Sequence, residues 1–360
     1  MANQLSNNTS TFATSTPTTA NVLFSVTSTQ TSLVVFGFMS TMILTFFGNI
    51  LVLAVVYRQR ASRNIQVTNS FLANLAAIDL LMSILVLPFC ISINIERAWV
   101  HGQALCDFNG MLTLFVGSAS ILTMTAISVD RHQAVANGGR KKLKIRQALT
   151  MIAVIWAWSL VIAILPVLGW SSYSWSLGSS VCKFSFTDAK GFVALLLVSC
   201  FVVPVSTMLF CYIRVFVVLR RHQKQLRKWK NQSMTTNKKA QAKNMQREGR
   251  ATLIVFIILS VFCLCWVPYV VITFIKLIKP TAQLSSGVYL FAGWSTTAHA
   301  AANPIIYIIW NKKFRIEVAR LLPFARCCLS RIGPLNEEQS EYQPPKTRTV
   351  FVNGLSNGPK

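Results

Sequence analysis

The 360 residues are 53% hydrophobic and 12% charged, too apolar for a soluble domain of this size. The formal net charge of +25 would suit nucleic acid, but a nucleic-acid binder carries its basic residues in stretches that are otherwise polar. Here they fall between long apolar runs, which excludes nucleic acid as a partner and makes the charge a matter of membrane topology.

The first 30 residues are rich in Ser, Thr and Asn and lack the basic start and compact apolar core of a cleaved signal peptide. Asn7-Asn8-Thr9 and Asn8-Thr9-Ser10 are overlapping sequons, so Asn7 and Asn8 are candidate glycosylation sites on an outward tail, residues 1–32. Apolar runs follow at 33–57, 67–94, 103–136, 145–169, 188–220, 246–277 and 285–310. Each supplies the roughly 20 residues that cross a hydrocarbon core of about 30 Å. No charged side chain precedes Arg58, and all but five of the 35 Lys and Arg fall on one side of these runs. The five are Arg97, Lys183, Lys190, Lys276 and Lys279. Basic loops resist translocation and are drawn to anionic cytoplasmic lipid. The pattern predicts a multi-pass plasma-membrane protein with its N-terminus extracellular and membrane lipids among its partners.

The expected fold class is all-α: a seven-transmembrane helix bundle with a short amphipathic eighth helix, spanning 33–325. The inner stretch 221–247 reads as a basic connection, and 326–360, broken by Pro334, Pro344 and Pro345, as a disordered cytoplasmic tail. Cys106 opens the third run and Cys182 lies in the loop before the fifth, both on the oxidising side, so a disulfide between them is expected. Cys327 and Cys328 follow the amphipathic stretch Lys312–Phe324 and are candidate palmitoylation sites.

Ionisable groups inside spans are costly and are functional candidates by default. Asp79, Asp130-Arg131 and Glu248 are such groups. With Gly48-Asn49, Trp156, Pro166, Pro204, Tyr212, Cys265-Trp266-Val267-Pro268 and Asn303-Pro304-Ile305-Ile306-Tyr307, they occur in order along the seven runs. In these motifs the chain resembles the rhodopsin-like (class A) G-protein-coupled receptors over about 33–325. Leu85-Val86-Leu87-Pro88-Phe89 and Leu168-Gly169-Trp170 are similar to orphan receptors of the branch near the amine and melatonin receptors.

The resemblance implies a receptor, not an enzyme, that relays an outer signal to a heterotrimeric G protein, with arrestin and receptor kinases as further partners. It assigns a coupling switch to Asp130, Arg131, His132, Glu248, Tyr212 and Tyr307, with Glu248 pairing Arg131. It assigns transmission to Trp266, Pro268, Phe262, Ile121 and Pro204, with Pro268 as a hinge. Asp79, Ser120 and Asn303 match an interior sodium site, and His299 stands near them where many relatives have Asn or Ser. Four residues before Asn303 on the same helical face, a lone buried His is more often a satisfied side chain; the sharper alternative is that protonated His299 pairs with Asp79 and replaces the ion. His132 and Gly138-Gly139 also depart from the family pattern, the glycines predicting a weaker inner-loop helix.

For a ligand the matching positions are Thr113, Val116 and Gly117 on the third run, Trp266, Tyr269 and Val270 on the sixth, and Trp294 and Thr297 on the seventh. Thr113 replaces the aspartate of amine receptors, and Thr297 the Schiff-base lysine of opsins, which excludes retinal. Lys183, Lys276, Arg97 and Glu96 fall at the mouth, leaving an aromatic wall that suits a neutral ligand. Two alternatives remain: a constitutively active orphan receptor without a conventional ligand, and an ion-coupled transporter. The lack of repeats and of broken helix pairs disfavours the transporter.

Overall fold

The computed structural model describes residues 27–61, 67–136, 143–176, 179–185, 189–230, 236–279, 282, 284–333 and 335. Asn7, Asn8, Gly138, Gly139 and the tail beyond 335 lie outside them, as does the side chain of Glu248. Among the described residues seven long helices form a bundle. They are α1 (Ser28–Ala61), α2 (Val67–Glu96), α3 (Gln103–Ala136) and α4 (Ile145–Trp170). Then come α5 (Lys190–Arg221, with helix continuing to Lys230), α6 (Thr236–Ile278) and α7 (Ser286–Trp310). Two short helices follow, α8 (Lys312–Leu321) and α9 (Arg326–Ile332). A two-residue hairpin, β1 (Tyr173–Ser174) antiparallel to β2 (Lys183–Phe184), lies between α4 and α5.

α3 is the central helix, packed on α2, α4, α5 and α6, and α7 closes the ring between α6 and α1. Phe71, Leu75, Ile78, Met124 and Ile127 fill the interior at 1% exposure or less. Phe36, Phe47 and Leu264 face outward, as an apolar solvent allows. Prolines explain the irregular turns. A proline has no N–H and its ring clashes with the carbonyl four residues back, so the helix widens beside it. π-turns at Met82–Val86, Pro166–Trp170 and Val198–Val202 adjoin Pro88, Pro166 and Pro204 respectively.

Several boundaries differ from the sequence reading. Thr27 and Gln30 exchange backbone-to-side-chain bonds of 3.1 and 3.2 Å, a reciprocal cap that starts α1 at Ser28. The basic stretch 221–247 is not a plain connection, because α5 runs on to Lys230 and α6 begins at Thr236. The tail expected to be disordered from 326 opens with α9 instead. Among the described residues six helices, α1 to α6, are long and apolar enough to cross a membrane on composition alone. α7 is long enough at 25 residues, but Ser295, Thr297, His299 and Asn303 on its buried face dilute its hydropathy.

Candidate functional site

The bundle has two distinct ends: one carries the Cys106–Cys182 disulfide, the other Arg131. Between them the helices are pinned by polar side chains with few alternatives. Pro304 cannot donate to the carbonyl of Ala300, four residues back. Asn49 supplies the missing donor, its Nδ2 reaching Ala300 O at 3.3 Å and Thr45 O at 2.9 Å. Gly48 makes this approach possible, since a Cβ there would sit 2.6 Å from the Pro304 ring. Asn303 then donates to Asp79 Oδ2 at 2.9 Å, while Asp79 Oδ1, fully buried, has no partner among the described residues. Further along, Trp156 Nε1 donates to Asn74 at 2.7 Å and Asn74 to Thr123 at 2.8 Å, tying α4, α2 and α3 together.

At the Arg131 end, Arg131 donates to Asp130 Oδ2 through Nη2 at 2.6 Å and Nε at 3.2 Å. Thr68, in the first turn of α2, donates to the same Asp130 oxygen at 2.7 Å and accepts from Arg131 Nη2. Both charged residues are buried, at 4% and 8% exposure, so the hydroxyl completes a three-membered clasp across two helices. The expected Arg131–Glu248 pair lies outside the described side chains. Tyr212 accepts from Ser128 at 3.4 Å and packs edge-on to Phe256. Tyr307 packs against Phe314 of α8, its hydroxyl unpaired among the described residues. Neither tyrosine bonds Arg131 in this arrangement. His132 turns to Phe210 of α5, with ring centroids 5.8 Å apart.

At the disulfide end a cavity of about 560 Å³ opens between α2, α3, α6, α7 and the hairpin. Thr113, Val116 and Gly117 line it, as do Trp266, Tyr269 and Thr297. Two expected members do not. Trp294 turns to α1, donating to Thr41 at 3.0 Å and resting against Gly37, and Val270 lies off the lining. Phe262 supports Trp266 from below, with centroids 5.8 Å apart. Pro204 is buried beside its π-turn and Ile121 borders the main core. Ser120, assigned with Asp79, also reaches the cavity wall.

His299 follows the first of its two readings, a buried side chain bonded within its own helix. It makes no ion pair with Asp79. Its Nδ1 lies 2.6 Å from Thr296 O, a group that only accepts, so Nδ1 carries a proton. The ring meets Phe262 edge-on at 4.9 Å and Trp266 at 6.4 Å, and forms part of the cavity floor. The helical spacing from Asn303 correctly put it on the buried face, but the Thr296 carbonyl turns the ring toward the aromatics.

Loop anchoring explains how the hairpin becomes a wall. The Cys182 N–H donates to Asn109 at 3.1 Å beside the disulfide, and Gln103 donates to Tyr173 O at 2.9 Å. The Tyr173 hydroxyl reaches Ala163 O at 2.8 Å, its ring crossing α3 where Gly110 leaves room. Lys183 and Lys276, expected only at the mouth, both line the cavity. Thr68 and Arg315 escaped the sequence reading. Arg315 Nη1 caps the end of α7 by donating to Ile308 O and Ile309 O, both at 2.9 Å. Neither has a local signature, because each partner lies on another element.

A closed ring of membrane helices with a cavity at one end and a buried Asp-Arg clasp at the other defines a transmembrane receptor. The family model of the seven-transmembrane receptors (rhodopsin family) matches residues 48–307. The chain belongs to that family. It is similar to G-protein coupled receptor 161 of Homo sapiens, 28% identical over 307 residues, covering 78% of this chain and 58% of that protein. The chain thus spans a little over half the length of that relative. The octopamine receptor beta-2R of Chilo suppressalis is also 28% identical, over 79% of this chain and 78% of its own. The crystal structure of squid rhodopsin superposes with a TM-score of 0.74 at 26% identity, covering 84% of this chain and 82% of its own.

Proposed function

We propose that this chain sits in the plasma membrane with its N-terminus extracellular and, on binding a ligand in the cavity, activates a heterotrimeric G protein at the Arg131 end. The Thr68–Asp130–Arg131 clasp carries this reading. It buries the one arginine that the resemblance assigns to coupling and ties it to α2, which describes a resting switch that a ligand-driven shift releases. Arrestin and receptor kinases follow as partners of the released form. Cys327 and Cys328, both exposed on α9, are placed for acylation beside the amphipathic α8. Asp79 Oδ1 is the atom a sodium ion would meet, with Asn303 held on the other carboxylate oxygen, and the cation would supply charge compensation for a carboxylate sealed from water.

The test is nucleotide exchange by a panel of purified G proteins on the full chain in lipid nanodiscs. Exchange by at least one subtype, in the wild type or once Thr68→Val opens the clasp, that disappears on adding Arg131→Ala supports the reading; exchange by none, Thr68→Val included, or exchange indifferent to Arg131→Ala, overturns it. A second reading, a constitutively active receptor, draws on Ser174, Val181 and Phe184, loop side chains that already form part of the cavity wall. Maximal exchange without any added ligand would favour it.

A further inference from the structure

We propose that the cavity takes an amphipathic carboxylate: the acid head at Lys183 and Lys276, an apolar body along Val116 and Trp266, and a hydroxyl at the far end meeting His299. This rests on the receptor reading above and names its ligand class. The lysines supply the first half of the argument. Lys183 Nζ lies 5.1 Å from the centroid of the Tyr269 ring, and Lys276 Nζ lies 5.8 Å from that of Tyr289. Rings hold a cation by their faces without using up its N–H donors. Among the described residues no Asp or Glu lines the cavity, and neither lysine has an ion pair or hydrogen bond. Two cations facing one cavity whose described lining holds no carboxylate lack compensation there, and an organic anion supplies it.

The floor supplies the second half. His299 is 3% exposed, lines the cavity, and its Nε2 has no partner among the described residues. With the proton on Nδ1, a neutral ring offers Nε2 as an acceptor, which a ligand hydroxyl satisfies. Lys276 stands ten residues beyond Trp266 on α6, about 15 Å along the helix at about 1.5 Å per residue. His299 adjoins Trp266. Head and hydroxyl are therefore far apart, and the ligand is elongated. The wall between them is mostly apolar, so a small anion such as phosphate leaves it unfilled.

Burial lowers the Lys183 ammonium to about 8 from its ordinary 10.5. Among the described residues the other titratable groups on the cavity are Lys276, Tyr269, Tyr289, His299 and Cys90, none of them a carboxylate. A bound carboxylate favours the charged lysine, so binding takes up a proton once the pH passes about 8, and affinity falls as pH rises further.

The experiment measures binding of ω-hydroxy alkanoic acids of graded length, their methyl esters and the unsubstituted acids to the full chain in nanodiscs. We expect an acid to bind about tenfold or more tightly than its ester, the size of one charge-assisted contact. That preference should disappear in Lys183→Met/Lys276→Met and return in Lys183→Arg/Lys276→Arg, which also shows that the site still folds. The advantage of the hydroxyl should disappear in His299→Phe. Esters binding as well as acids, no acid binding, or a preference that survives the double Met variant overturns the proposal. Basal nucleotide exchange in the same nanodiscs separates the two claims: exchange without acid binding sinks the ligand class alone. Acid binding without exchange by any G protein sinks the receptor reading alone.

Discussion

Asn49 shows how much a single side chain can carry in this bundle. Its amide replaces the one backbone donor that Pro304 removes from α7. Asn49→Ala leaves the Ala300 carbonyl unpaired in a dry interior, a cost of about 1–3 kcal/mol. Thermal unfolding in nanodiscs should show a lowered midpoint; an unchanged midpoint would mean that water or another donor reaches Ala300. Lys183 allows a test of charge. Because burial holds its ammonium down to about 8, the neutral amine is already populated between pH 8 and 10.5, where an exposed lysine is still charged. Acylation of Lys183 read by mass spectrometry should rise with a midpoint near pH 8, and a midpoint near 10.5 would show the side chain to be solvated. At this scale the sequence was informative where a residue has a fixed neighbour along the helix. It was silent on Thr68, whose partner Asp130 is 62 positions away, and for His299 it left open a pairing with Asp79 that the bond to the Thr296 carbonyl decides against.

The helices themselves were legible because lipid forces each span to be long and apolar. Their ends were not. Caps such as Thr27–Gln30, and the continuation of α5 and α6 past the apolar runs, depend on polar stretches that carry no hydropathy signal. α7 was found in the sequence as the apolar run 285–310 despite its polar face, and the Asn303-Pro304 motif marks it a second time. α8 and α9 form a second kind of element. Val318 and Phe314 are buried against the bundle, while Cys327 and Cys328 are exposed. Two adjacent acyl chains give a stable anchor where one gives only marginal binding. Cells fed a palmitate analogue should label the wild type, and Cys327→Ser/Cys328→Ser should remove the label. Equal labelling of both proteins would place the lipid elsewhere.

For the whole molecule, the sequence reading reached the ring of seven helices, the disulfide and most of the cavity wall. It missed the cavity's sign. Lys183 was placed at the mouth because the sequence cannot show how far a loop folds inward, and Lys276 because it stands in the last turn of α6; the Cys106–Cys182 bond, Asn109 and Gln103 together draw the hairpin down. The molecule thus has a cavity lined by two lysines at one end and the buried Thr68–Asp130–Arg131 clasp at the other, joined by α3, α6 and α7. The clasp is the central claim, and Thr68→Val tests it most directly. The substitution keeps the volume and removes only the hydroxyl that bridges α2 to Asp130 and Arg131. Basal nucleotide exchange by the coupled G protein should rise severalfold in Thr68→Val, the response to losing about 1 kcal/mol from the resting state. Exchange equal to or below that of the wild type, in a variant shown to be folded, would contradict it.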